Sequence, residues 1–196
     1  MQTKLRPDEA VVIFGDFQVG ITELPLTVPA GELRRSAWGL ARLAEVFDMP
    51  TLAMSIPKAG GGNAEIIPEI TRTRTRYQQF LRTTPDSFEH EAFRKAIEKT
   101  GRKTLIVCGI ATEICLHWLV LSGIANGYRV YVVVDACGGL SARSEQAAFR
   151  RFEAAGAVMS SVVSLAGELA GDFVSSPAGG DAIAVVYRMI GPAGAS

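Results

Sequence analysis

TLIVCGIATEICLHWLVLSGIANG, residues 104–127, reads as a strand, a sharp turn and a helix. Leu105 to Cys108 is a continuous apolar run closed by Gly109, the pattern of a parallel strand buried on both faces. Leu116, Val120, Gly123, Ile124 and Gly127 then recur at helical spacing, so a helix packs back on the sheet. Cys115 falls in that helix's first turn, where free N–H groups and the positive end of the macrodipole stabilise a thiolate. An isolated cysteine in an apolar stretch is more commonly a small inert hydrophobe. The choice between these readings rests on the rest of the chain.

Working outward, residues 10–14 (AVVIF), 51–55 (TLAMS), 77–81 (YQQFL), 129–134 (RVYVVV) and 157–163 read as further strands. Helices are expected between them. Residues 31–47 carry Leu33, Ala37, Leu40, Ala41 and Ala44 on one face, a second helix turns Phe93, Ala96 and Ile97 inward, and a third spans 141–155. This alternation predicts a three-layer α/β/α fold with a six-stranded, mostly parallel sheet covered on both faces. Residues 1–173 form that domain. In the tail, 174–196, SSPAGGD reads as a linker, and AIAVVYRMI, apolar without a clear period, as a segment that docks on the domain or on another subunit.

Composition narrows the function. The chain has 196 residues, 48% of them hydrophobic, enough for one domain with a sizeable core. Lysine plus arginine equals aspartate plus glutamate at 20 each, so no overall charge draws it to nucleic acid or to anionic membrane. No signal-like or membrane-spanning run is apparent, and a cytoplasmic location is expected. Three cysteines without a CxxC, beside two histidines, argue against a zinc site and for reduced thiols. DFQVGI after the first strand lacks GxGxxG and a P-loop lysine, and its acid would repel a phosphate. The TRTRTR run at 71–76 reads as a solvated face, and PKAGGGN at 57–63 as a mobile loop bordering a site.

Asp16, Arg82 and Cys115 each follow a predicted strand's carboxyl end, the edge along which open α/β sheets bind ligands. With GIATEIC at 109–115 and Asp16 after AVVIFG, the chain resembles the isochorismatase-like cysteine hydrolases. IIPEI at 66–70, DSFEHEAF at 86–93 and GYRVYVVVDAC at 127–137 bring it closest to the YcaC-like branch. The resemblance implies a Rossmann-type strand order and a metal-independent hydrolase without a cofactor, acting on a C–N bond of a small amide-like molecule through a Cys115 thioester. Catalytic roles then fall to Asp16, Arg82 and Cys115. Arg82 stands where the family normally has lysine, as the YcaC-like branch also does; Lys58 is a weaker substitute. A cis peptide between Ile110 and Ala111, with an oxyanion hole from the amides of Ala111 and Cys115, is implied too. Thr112 as helix N-cap is the competing assignment for that turn.

Phe17, Gln18, Phe88 and Thr112 are the expected substrate contacts. His90 is placed near the pocket rim, His117 on the packed side of its helix, and Cys137 among structural or lining residues. A homo-oligomer is expected. The alternatives are an isochorismate-type vinyl-ether hydrolase and a non-catalytic oligomeric thiol protein.

Overall fold

A computed structural model describes residues 4–58 and 60–191; Ala59 of the glycine-rich loop and tail residues 192–196 lie outside them. Six strands form one sheet: β1 Ala10–Gly15, β2 Thr51–Ser55, β3 Tyr77–Leu81, β4 Thr104–Ile110, β5 Arg129–Gly138 and β6 Val158–Ser160. The order is β3-β2-β1-β4-β5-β6, and every pairing is parallel. β1, β2 and β4 are buried along their whole length, which is why each reads as an unbroken apolar run rather than an alternation.

Helices α1 (Ala30–Val46), α6 (Val162–Ala170) and α7 (Pro177–Ile190) pack together as one layer. On the other face lie α3 (Glu91–Lys99), α4 (His117–Ala125) and α5 (Ala142–Ala155), with Phe88 edge-on to Phe93 of α3 and tilted against Tyr128. A single turn, α2 (Pro68–Thr71), precedes β3. Strand order reverses between β1 and β4, so the switch-point crevice opens where Asp16 and the GIATEIC turn emerge.

Two expectations change. The last strand covers three residues rather than 157–163, because Ser161 caps α6 by accepting a hydrogen bond from Ser164 N–H, and Asp135 accepts another from Val162 N–H. An apolar run of that length has no period of its own to separate strand from buried helix. Most of the supposed linker and the apolar segment after it form α7: Ser176 caps it, accepting from Gly179 N–H, and Pro177 occupies its first turn. α7 lies against its own domain, with Arg188 stacked 4.8 Å over Trp38 and Arg35 donating to Met189 O at 3.3 Å. A methyl group on Gly179 would sit 2.5 Å from the carbonyl oxygens of Ala170 and Asp172, so the glycine that suggests a linker is a close-packing position.

The same capping logic fixes α5, where Ser141 accepts from Ser144 N–H. Ser141→Ala is expected to cost about 1 kcal/mol in urea unfolding, the ordinary worth of such a cap.

Candidate active site

Parallel pairing of β1 with β4 sets Gly15 opposite Gly109, so the chain leaves the sheet at the same height on both strands. Asp16 follows with φ 58°, a left-handed turn held by its N–H donating to Met54 O and its carbonyl accepting from Gln18 N–H, each at 2.8 Å. That turn points the carboxylate into the crevice instead of along β1. Arg82 leaves β3 in parallel fashion, its N–H donating to Ser55 O at 3.0 Å. Two strand spacings, ~10 Å, separate β3 from β1, and only a long side chain spans them. Arg82 does so: one Nη donates to Asp16 Oδ2, and the other donates to Thr84 O at 2.9 Å.

Both members of this ion pair are buried, at 3% and 4% exposure. Such a pair costs desolvation and is poor evidence of a purely stabilising role. Asp16 Oδ1 and Arg82 Nε are buried with no hydrogen-bond partner of their own. The site therefore holds unspent polar capacity on both residues.

Cys115 sits in a single π-helical turn, Thr112–Leu116, closed by Leu116 N–H donating to Ala111 O and entered through a cis Ile110–Ala111 peptide. π turns recur at functional sites because one extra residue re-aims the side chains around it. This one places the thiol, partly exposed, where it interacts with both Asp16 and Arg82. Burial and the Asp16 charge push the thiol up to about 11, although Arg82 pulls the other way. Asp16 is raised above the usual carboxylate range, since burial outweighs the help of Arg82 and the thiol. A helix N-terminus alone favours a thiolate; here burial and the neighbouring Asp16 charge favour the thiol form of Cys115, and burial makes Asp16 more basic.

The other expected residues separate by burial. Phe17 is fully buried and stacks edge-on against Phe14, and Phe88 packs against Phe93 and Tyr128; both lie in the core. Gln18 spends its amide on the backbone of Ile56, accepting at 3.0 Å and donating at 3.4 Å, which ties the Asp16 turn to the end of β2. Thr112 is fully buried and donates to Glu145 Oε1 at 2.8 Å, so its hydroxyl is not the helix cap; Ala111 holds the cap position. His90 caps α3 through Nδ1 and, with Arg82, Thr84 and Glu89, lines a surface depression of about 440 Å³. His117 packs on Phe152, Cys137 is buried, and Lys58 is exposed.

A larger depression, about 580 Å³, lies at the opposite edge of the sheet between Glu45, Asp48, Arg74, Arg76 and Arg102, remote from this chemistry. No group of three or more histidine, cysteine, aspartate and glutamate side chains among the described residues could hold a metal ion. No helix among them is long and apolar enough to cross a membrane.

Residues 11–164 match the family model of the isochorismatase domain. The probable hydrolase YcaC of Escherichia coli K12 is 29% identical over 171 residues, 87% of this chain and 82% of that protein. Its crystal structure, described as an octameric hydrolase of unknown specificity, aligns with a TM-score of 0.82 at 27% identity over 96% of this chain and 90% of that one. YcaC from Pseudomonas aeruginosa, solved with hexane-2,5-diol and covalent acrylamide, aligns at 0.84 and 28% identity over 94% and 92%. The E. coli nicotinamidase is 39% identical over a 57-residue stretch, 28% of this chain and 27% of that enzyme.

Proposed function

This chain belongs to the isochorismatase family of hydrolases, and on that premise we propose that it cleaves a C–N bond in a small amide-like compound with Cys115 as nucleophile. The observation that carries the reading is the meeting of a buried carboxylate, its guanidinium partner and a thiol at the switch point of the sheet. Asp16, its basicity raised by burial, takes the thiol proton as sulfur attacks the carbonyl carbon. The oxygen, now negative, is met by the backbone N–H groups of Ala111 and Cys115 and by the positive field of Arg82. Arg82 orients and stabilises charge but donates no proton, since guanidinium stays ionised.

Collapse of the adduct breaks the C–N bond, and Asp16 returns its proton to the departing nitrogen. Water then attacks the thioester and gives a proton to Asp16. As the C–S bond breaks, sulfur recovers that proton, leaving a carboxylic acid and the starting thiol. The nicotinamidase stretch and the covalent acrylamide in a YcaC relative agree in kind with an amide and a reactive site. Ile114 and Trp118, one helical turn apart and both over 40% exposed, together with the octamer described for E. coli YcaC, support a homo-oligomer.

The test is a panel of small amides, carbamates and ureides assayed for ammonia release, with Cys115→Ala as control. Release by the native chain that disappears in the variant is the expected result. Turnover surviving in Cys115→Ala overturns the scheme, and silence across the panel favours the non-catalytic thiol protein.

A further inference from the structure

The turn that carries Cys115 is fastened from behind by two consecutive side chains. Thr112, fully buried, donates to Glu145 Oε1 at 2.8 Å; Glu145, 9% exposed, sits in the first turn of α5. Glu113 accepts from Leu140 N–H at 2.9 Å and from Ser144 Oγ at 2.6 Å, on the same end of that helix. Gly139 makes the double approach possible. A methyl group there would fall 2.6 Å from Glu145 Cβ and 3.0 Å from Glu113 Oε2, so any side chain would push one carboxylate away.

A buried carboxylate would be expensive beside an apolar turn, and a valine in place of Thr112 would fill the same space without it. The Thr112–Glu145 bond has another use, because a π turn has fewer internal constraints than an α-helix and needs outside contacts to hold its register. Oriented catalytic groups lose effectiveness with displacements of about an ångström.

We propose that Thr112 and Glu145 are positioning residues for the nucleophile: their buried hydrogen bond, aided by Glu113, holds the Cys115 turn at the depth where the thiol meets Asp16 and Arg82. This rests on the proposed role of Cys115, but its test does not require turnover. Thiol ionisation depends on that depth, since burial and Asp16 raise the thiol while Arg82 lowers it. Cys108 and Cys137 are buried, so alkylation of the folded protein reports Cys115.

The experiment follows iodoacetamide labelling of Cys115 by mass spectrometry from pH 7 to 10 in the native chain, Thr112→Val, Thr112→Ser and Glu145→Gln. Freed from its anchor, the thiol gains solvent and moves away from Asp16. Thr112→Val is expected to label at least about fivefold faster at pH 8, with a profile shifted to lower pH by roughly 0.7 unit. Glu145→Gln, which keeps only a neutral acceptor, should shift in the same direction by less, and Thr112→Ser should restore the native profile. If Thr112→Val does not fold, the Glu145→Gln and Thr112→Ser profiles decide. Native profiles in every folded variant, with only thermal stability lowered, would show a purely structural bond and overturn the proposal. Should Cys115→Ala retain turnover, the chemical scheme fails while the labelling result still decides the positioning question.

Discussion

Asp16→Asn is expected to make Cys115 more reactive toward iodoacetamide and the protein less active. The two effects come from opposite sides of one interaction. With the thiol raised to about 11, roughly one in a thousand is ionised at pH 8. Both contributions of Asp16, its charge and its hydrogen bond, raise that value, whereas Arg82 lowers it and remains in the variant. Burial, the largest cause of the rise, remains in the variant, so the thiol falls only part of the way and labelling at pH 8 should rise by roughly severalfold. On the proposed scheme hydrolysis should fall by at least about a thousandfold, because asparagine can neither accept the thiol proton nor return one to the leaving nitrogen. Slower labelling would mean that Asp16 chiefly places the thiol; full turnover would remove Asp16 from the mechanism.

Stability carries a related signature. A carboxyl whose folded pKa lies above its unfolded value contributes stability that is complete below the unfolded value and is lost as pH rises through the folded one. Asp16 is such a group. Relative to Asp16→Asn, the native chain should therefore lose denaturant stability as pH climbs above about 4 through the raised pKa.

Most of the sheet and the three candidate site residues were legible because strands β1, β4 and β5 announced themselves by apolar runs, and the candidate residues follow the ends of predicted strands. AVVIFG with Asp16 and TLIVCG before the cysteine motif have that form, whereas YQQFL before Arg82 is a mixed, partly exposed edge strand. The six parallel strands and the layering expected from the alternation, and the order that the resemblance implied, match those observed, with the last strand shorter than expected. What stayed hidden depends on contacts between segments far apart in sequence. Glu145 looks like an ordinary acid in a helix's first turn, and nothing in ARSEQ indicates that it meets Thr112, 33 residues earlier. Gln18 and Phe17 adjoin the acid in sequence, yet one faces the β2 backbone and the other the core. The raised thiol was equally invisible, because a helix terminus is a local feature whereas burial and a neighbouring carboxylate are not.

Gly109→Ala should be the most damaging single-methyl change in the sheet, and the reason lies in the register that builds the site. Gly109 faces Gly15 across β1 and β4, and a Cβ at position 109 would lie 2.8 Å from Gly15 O and 3.1 Å from Gly15 Cα. Those are backbone atoms of a strand hydrogen-bonded on both sides, so they have no rotamer by which to retreat. Overpacking of this kind costs about 1–3 kcal/mol, and we expect the upper end, a fall in Tm of roughly 6–12 °C for a domain of this size. Gly15→Ala meets its nearest atom, Cys108 O, at 3.3 Å and should cost less. Gly31→Ala, in α1 with nothing within 4 Å, should be neutral or stabilising by up to about 1 kcal/mol. The order 109, then 15, then 31 in thermal melts is the check; equal losses at 109 and 31 would contradict the close approach. Because Asp16 and the cysteine turn leave the sheet immediately beyond this glycine pair, Gly109→Ala should also weaken the interaction between carboxylate and thiol, lowering turnover even at temperatures where the variant remains folded.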